Sequence, residues 1–142
     1  MTPASNAGSS FTPVALPSPP AAAWDRLAVD RVQAAPAIAY VFGAAGGTPH
    51  LWRRTGSTWS KVTGLPALSV NQAWYDWYVA ASPTNRGRVF LGAIDTFRGD
   101  LSGTAWTWTN ITSQGNNSIH PDQHSLTFAP GNANVIYAGN DG

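Results

Sequence analysis

The sequence contains no cysteine and no glutamate. Without cysteine the chain can form neither a disulfide framework nor a thiolate metal site. That absence is compatible with an oxidising or a reducing compartment. Without glutamate, every carboxylate that could act as an acid, a base or a nucleophile belongs to one of seven aspartates.

Charge of either sign is scarce in this chain. Seven arginines and one lysine face the seven aspartates, so the formal net charge is +1, and the densest basic site is the pair Arg53-Arg54. A protein that binds nucleic acid through its phosphates needs a concentrated basic surface. Nucleic acid is therefore not an expected partner.

Long hydrophobic runs are missing as well. No apolar run approaches the roughly 18–20 residues of a membrane-spanning helix, so no membrane span is expected. Residues 1–23 lack the basic start and the continuous apolar stretch of a secretory signal. Their richness in proline, alanine and serine predicts a linker or a tail, followed by one domain over residues 24–142.

Helical periodicity is absent too, and short strand-like runs take its place. Runs of β-branched, apolar and aromatic residues are bounded by glycine, proline and asparagine, which predicts an all-β fold. Three of these runs end at Gly43, Gly92 and Gly139, at spacings of 49 and 47 residues. One more strand-like run precedes each of these three runs. Two further runs follow each of the runs that end at Gly43 and Gly92, and the second of those two carries a tryptophan.

Four short strands in a repeat of about 48 residues are the pattern of a β-propeller blade. The domain would then hold about two and a half blades. Its repeats lie at about 24–73 and 74–120, with an incomplete one at 121–142. Since propellers usually close with four to eight blades, the predicted partners are the remaining blades of a longer propeller or, less favoured, other copies of the chain.

The tryptophan-bearing strands carry a partial motif. Gly56 with Trp59, and Gly103 with Trp106, keep the Gly-x-x-Trp end of the Asp-box pattern Ser-x-Asp-x-Gly-x-x-Trp, without its Ser and Asp. These repeats resemble BNR or Asp-box propellers, the group that includes sialidases, xyloglucanase-type glycoside hydrolases and sortilin-type propellers. In that group the motif shapes a hairpin at the edge of the blade, which is its expected role here.

Two polar runs carry a closer resemblance. Gln-x-x-Tyr-Asp occurs at residues 72–76, and His-x-Asp-x-His at residues 120–124, each just ahead of a predicted inner strand. This pairing resembles glycosyl-hydrolase-like BNR-repeat proteins. The resemblance implies a propeller, a carbohydrate partner and a secreted or cell-surface location.

In a propeller, the residues ahead of the inner strands converge at one mouth of the central channel. The repeat aligns three sets of residues there, at spacings of 51 and 47 residues: Asp25, Asp76 and Gln123; Trp24, Tyr75 and Asp122; Arg26, Trp77 and His124. Aromatic faces stack on sugars, and Asp and His bond their hydroxyls. The repeat therefore predicts a rim suited to carbohydrate.

Two interpretations of this rim involve chemistry at its acidic residues. Asp76 and Asp122 could be the paired carboxylates of a glycoside hydrolase. The substrate contacts would then be Gln72, Trp74, Tyr75, Trp77, His120 and His124. Alternatively His120, Asp122 and His124 could bind a metal, since side chains at i, i+2 and i+4 share one face of an extended strand. No other cofactor is expected.

Two further interpretations involve no chemistry. The rim could bind carbohydrate or protein without catalysis, because sites on one fold vary widely. Its polar residues could instead only cap strand ends and bond neighbouring blades. Asp141, in Asn140-Asp141-Gly142, is predicted to be a turn residue.

Overall fold

The computed structural model describes residues 12–114 and 117–142, with side chains at residues 12–113 and 119–142. Within these ranges the regular elements are all β-strands, so the predicted all-β class is confirmed. Residues 1–11 of the predicted tail lie outside the described residues. In the described part of the chain, no helix is long and apolar enough to cross a membrane.

The strands form antiparallel sheets in chain order. Sheet 1 contains β1 (Trp24–Arg31), β2 (Ile38–Ala45), β3 (Thr48–Thr55) and β4 (Thr58–Val62). Sheet 2 contains β5 (Tyr78–Ala81), β6 (Arg88–Gly92), β7 (Thr96–Ser102) and β8 (Ala105–Asn110). A short ribbon of β9 (Ser113–Gln114) and β10 (Asn117–Ser118) precedes sheet 3, which contains β11 (Gln123–Ala129) and β12 (Asn132–Asn140).

The glycines of the partial Asp-box motifs form tight turns. Gly56 joins β3 to β4 and Gly103 joins β7 to β8, with φ angles of +62° and +60°. Glycine adopts this left-handed backbone without a steric penalty. Trp106 follows the second of these turns and packs against Tyr40, with 6.3 Å between ring centroids. The Gly-x-x-Trp spacing therefore predicts these two hairpins correctly.

Backbone hydrogen bonds correct the register of the first repeat. The Val32 amide donates to the Ile38 carbonyl, and the Ser82 amide donates to the Arg88 carbonyl, both at 3.0 Å. These matching bonds lie 50 residues apart, so Gly43 and Gly92 are not equivalent. The spacing between the second and third repeats is the predicted 47 residues, because Tyr78 pairs with Gly92 as Ser125 pairs with Gly139.

The packing around each glycine explains why the spacing between Gly43 and Gly92 does not give the true length of the first repeat. A Cβ at Gly43 would collide with the Leu27 side chain, and a Cβ at Gly92 would collide with the ring of Tyr78. Each glycine is thus required by a bulky neighbour on the adjacent strand, but on opposite faces of the two sheets. A slip of one residue exchanges the faces of a strand. In the corrected register Arg26, rather than Asp25, corresponds to Asp76.

The sheets pack face to face in chain order. One face of sheet 1 and one face of sheet 2 share the larger core, whose members include Ala28, Tyr40, Phe42, Val79, Ala81, Val89 and Leu91. The other face of sheet 2 packs on sheet 3 through Tyr78, Ala80, Phe90, Leu126, Phe128 and Ile136. The first strands of the sheets lie side by side, with β5 between β1 and β11. The starts of these strands are therefore brought together at one end.

The described part of the predicted tail lies against sheet 1. The Trp52 indole Nε1 donates to the Pro17 carbonyl at 2.7 Å, and Lys61 Nζ donates to the Ser18 carbonyl at 3.0 Å. Trp52 is completely buried. Residues 12–23 have no regular secondary structure, yet they cover one part of the sheet.

Candidate functional site

A compact turn before β5 separates two kinds of side chain. The Gln72 carbonyl accepts hydrogen bonds from the amides of Tyr75 (2.8 Å) and Asp76 (3.1 Å). This tight winding turns Trp74 and Tyr75 outward, where they are 69% and 44% exposed, while Asp76 is only 1% exposed. The turn therefore presents two aromatic side chains and buries a carboxylate beneath them.

Trp77 belongs to the core. Its ring stacks on Phe42 with 4.0 Å between centroids, and its Nε1 donates to the Phe42 carbonyl at 3.2 Å. The side chain joins sheets 1 and 2 and has no face open to a ligand. Trp77 therefore does not belong with the predicted substrate contacts. A residue just before a strand can point towards the rim or towards the core. The Trp77 ring points towards the core because burial of its apolar surface is favourable.

Gln72 brings the two predicted carboxylates together. Its side-chain Nε2 donates to Asp76 Oδ2 at 3.0 Å and also to Asp122 Oδ1. Two oxygens bonded to one nitrogen lie within about 6 Å of each other. The amide of Asp122 donates to the Ile94 carbonyl at 3.0 Å, which holds this residue beside sheet 2.

Burial sets the protonation behaviour of Asp76. Its Oδ1 is buried and has no hydrogen-bond partner among the described residues. Burial raises the pKa of the Asp76 carboxyl, and the nearby charge of Asp122 adds to this effect, while the hydrogen bond from Gln72 opposes it. The site thus places a buried carboxyl with a raised pKa next to the more exposed carboxyl of Asp122.

An exposed polar cluster lies beside these acids. The Tyr75 hydroxyl donates to Asp141 Oδ2 at 3.0 Å, and His124 Nε2 lies 2.6 Å from Asp141 Oδ1. The rings of Tyr75 and His124 meet edge to face, with 4.6 Å between centroids. The bond to Asp141 raises the pKa of His124 and that of Tyr75, and the same bond to His124 lowers the pKa of Asp141.

Asp141 is the site residue that the sequence interpretation missed. Its turn-forming neighbours are as predicted, since the Gly142 amide donates to Asn140 Oδ1 at 3.1 Å. The sequence held one signal for Asp141. Two successive antiparallel strands place the end of the second strand, here β12, beside the start of the first, here β11. Asp141 follows directly after β12 and therefore lies next to His124.

The predicted metal ligands do not share one face. Asp122 has a φ angle of +63°, so the chain is not extended there. Gln123 pairs with Asn140 and Ser125 with Gly139, which leaves His124 as the extra residue of a bulge. Among the described residues, no three His, Cys, Asp or Glu side chains are placed to hold a metal ion.

The remaining predicted contacts lie at the edges of this site. The His120 ring is exposed, and its carbonyl accepts a hydrogen bond from the Gln123 side chain. Trp74 lies 5.5 Å from Tyr75 between ring centroids, at a tilt of 44°. It also borders a shallow depression with Asp25 and Asn71. The aromatic surface therefore extends from sheet 1 towards sheet 3.

Comparison of the chain with protein-family models, curated proteins and solved structures finds no match. The interpretation of the site therefore depends on its geometry and on the chemistry of its side chains.

Proposed function

We propose that the chain is part of a BNR-like β-propeller of a secreted or cell-surface protein, and that its rim binds carbohydrate. The support for the propeller is the sequential four-stranded sheets, stacked face to face with their first strands adjacent. The resemblance of residues 72–76 and 120–124 to BNR-repeat proteins supports the same proposal.

The observation that carries the carbohydrate proposal is the exposed aromatic pair beside an oriented polar cluster. Trp74 and Tyr75 offer apolar ring surface next to the carboxylate of Asp141 and the imidazole of His124. Sugars combine apolar ring faces with hydroxyls that need fixed donors and acceptors. Because Asp141 holds both Tyr75 and His124, a sugar would meet groups that are already oriented.

A glycan array followed by calorimetry tests this proposal. Trp74→Ala should weaken binding of any glycan found by about tenfold, equivalent to about 1.4 kcal/mol, because it removes the most exposed ring. Trp59→Ala, on β4 and remote from the polar cluster, is the matched control and should leave the affinity unchanged. A folded protein that binds no glycan on the array would refute carbohydrate recognition.

Glycoside hydrolysis is the second candidate, and the Gln72 bridge favours it. A retaining hydrolase places its two carboxyl groups about 5–5.5 Å apart, one protonated and one ionised. The raised pKa of Asp76 suits the acid of such a pair, and the shared bond to Gln72 holds Asp122 close to it. Asp76 is buried, however, so Gln72 would have to move before a substrate could reach it. Binding without catalysis is therefore the better-supported function.

An assay on β-glucans separates the two candidates. If the pair is catalytic, Asp76→Asn and Asp122→Asn should each lower turnover by about 10²–10⁴-fold. Asp100→Asn, on the outer part of sheet 2, is the control and should retain activity. Turnover that is unchanged in both site variants would exclude the catalytic role.

A further inference from the structure

Two apolar sheet faces are exposed at opposite ends of the stack. Sheet 1 carries Leu27 and Val29, 48% and 72% exposed, on the face away from sheet 2. Sheet 3 carries Val135 and Tyr137, 41% and 60% exposed, on the face away from sheet 2. We call the face towards the preceding sheet the leading face and the face towards the following sheet the trailing face.

The trailing faces carry one aromatic position in common. By the repeats of 50 and 47 residues, Tyr40, Phe90 and Tyr137 are equivalent. Tyr40 is buried in the core shared with sheet 2, and Phe90 is buried against Phe128 of sheet 3, at 5.7 Å between ring centroids. Tyr137 occupies the same position on sheet 3, but it is exposed.

The leading faces carry an equivalent aliphatic position. Val29, Val79 and Leu126 correspond in the same register. Val79 packs in the core shared with sheet 1, and Leu126 packs in the core shared with sheet 2. Val29 is the most exposed of these three aliphatic side chains. The described part of the tail, residues 12–23, covers the Trp52 side of this face and leaves Leu27 and Val29 exposed.

The exposed faces are therefore the two halves of an interface that the chain already forms twice. We propose that a second copy of this chain binds head to tail, with the leading face of sheet 1 on the trailing face of sheet 3. Such an interface joins two different surfaces, so it continues into a ring or an open chain of copies. Other copies of the chain then supply further blades of the proposed propeller, and this assembly does not depend on the carbohydrate function.

Sedimentation velocity over a range of concentrations tests the interface. The wild-type chain should show species of at least twice its 15.0 kDa mass as concentration rises. Val29→Asp and Tyr137→Asp should each remain monomeric, because either change places a charge in the apolar contact. Ile119→Asp alters an exposed aliphatic residue between β10 and β11, away from both faces, and is the control that should assemble like wild type.

Mixing the two monomeric variants gives the decisive result. Val29→Asp keeps an intact trailing face and Tyr137→Asp keeps an intact leading face, so the mixture should form a dimer and stop there. Circular dichroism checks that both variants remain folded. The proposal is overturned if wild type stays monomeric at every concentration, if either variant assembles like wild type, or if the mixture stays monomeric.

Discussion

At the residue scale, Asp141 controls the exposed cluster because it bonds both Tyr75 and His124. The raised pKa of His124 means that its contribution is complete below the pKa of an unfolded histidine and is lost as pH rises through the folded value. The lowered pKa of Asp141 means that its contribution is lost as pH falls through that lower value. The ion pair therefore holds between these two pKa values.

Asp141→Asn should lower the pKa of His124 towards its ordinary value of about 6.5. The physical reason is that the neutral amide no longer favours the imidazolium. An NMR titration of the His124 ring protons measures the midpoint directly. His50, on β3, provides the internal control, because burial and Lys61 rather than Asp141 lower its pKa. An unchanged His124 midpoint would contradict the bond to Asp141.

Asp76→Asn should raise stability at neutral pH, by on the order of 1 kcal/mol, because it removes a charge from a buried position. A carboxyl whose folded pKa is raised loses stability as pH rises through the window between its unfolded and folded pKa values. In Asp76→Asn, this dependence of the unfolding free energy on pH should disappear. Urea unfolding at several pH values between 4 and 8 measures both effects.

Asp100→Asn is the opposite case and serves as the comparison. Arg88 and Arg98 hold Asp100 at 2.6 and 2.9 Å in a pair that is about one-third exposed. Removing its charge should cost up to about 1 kcal/mol, as for other solvent-accessible ion pairs. If both aspartate variants shifted stability in the same direction, burial would not be the cause at Asp76.

At the element scale, Trp77 holds the start of β5 against sheet 1. Trp77→Ala should destabilise the protein by about 3–5 kcal/mol, because it removes a buried ring and a hydrogen bond to Phe42. Trp77→Phe keeps the ring stack and should recover part of that loss. Urea unfolding compares the variants with Trp59→Ala, whose side chain is only partly buried and whose loss should be smaller. Equal losses at the two positions would contradict the core role of Trp77.

At the scale of the whole molecule, sheet 2 is the centre of the stack. It contributes one face to the larger core with sheet 1 and the other to the smaller core with sheet 3. Local opening depends on how much apolar surface each unit buries. Sheet 3, with two strands and one covered face, is therefore the least protected of the three sheets.

Hydrogen exchange should show this order. Amides of β11 and β12 should exchange faster than those of β5 and β6, and Phe90→Ala should speed exchange in sheet 3 with little effect on sheet 1. Phe42→Ala, in the larger core, provides the matched change and should affect sheets 1 and 2. Uniform exchange across the three sheets would contradict separate cores. At concentrations where copies assemble, β12 should gain protection.

Local sequence patterns were enough to predict the strands, the hairpins at Gly56 and Gly103, and the proximity of residues 72–76 to residues 120–124. These features depend on backbone preferences and on repeat spacing, which are local. The tertiary structure decided the one-residue register of the first repeat, the burial of Trp77 and the arrival of Asp141 beside His124. Those outcomes depend on which faces exclude water together across long stretches of chain, and a local pattern does not specify that choice.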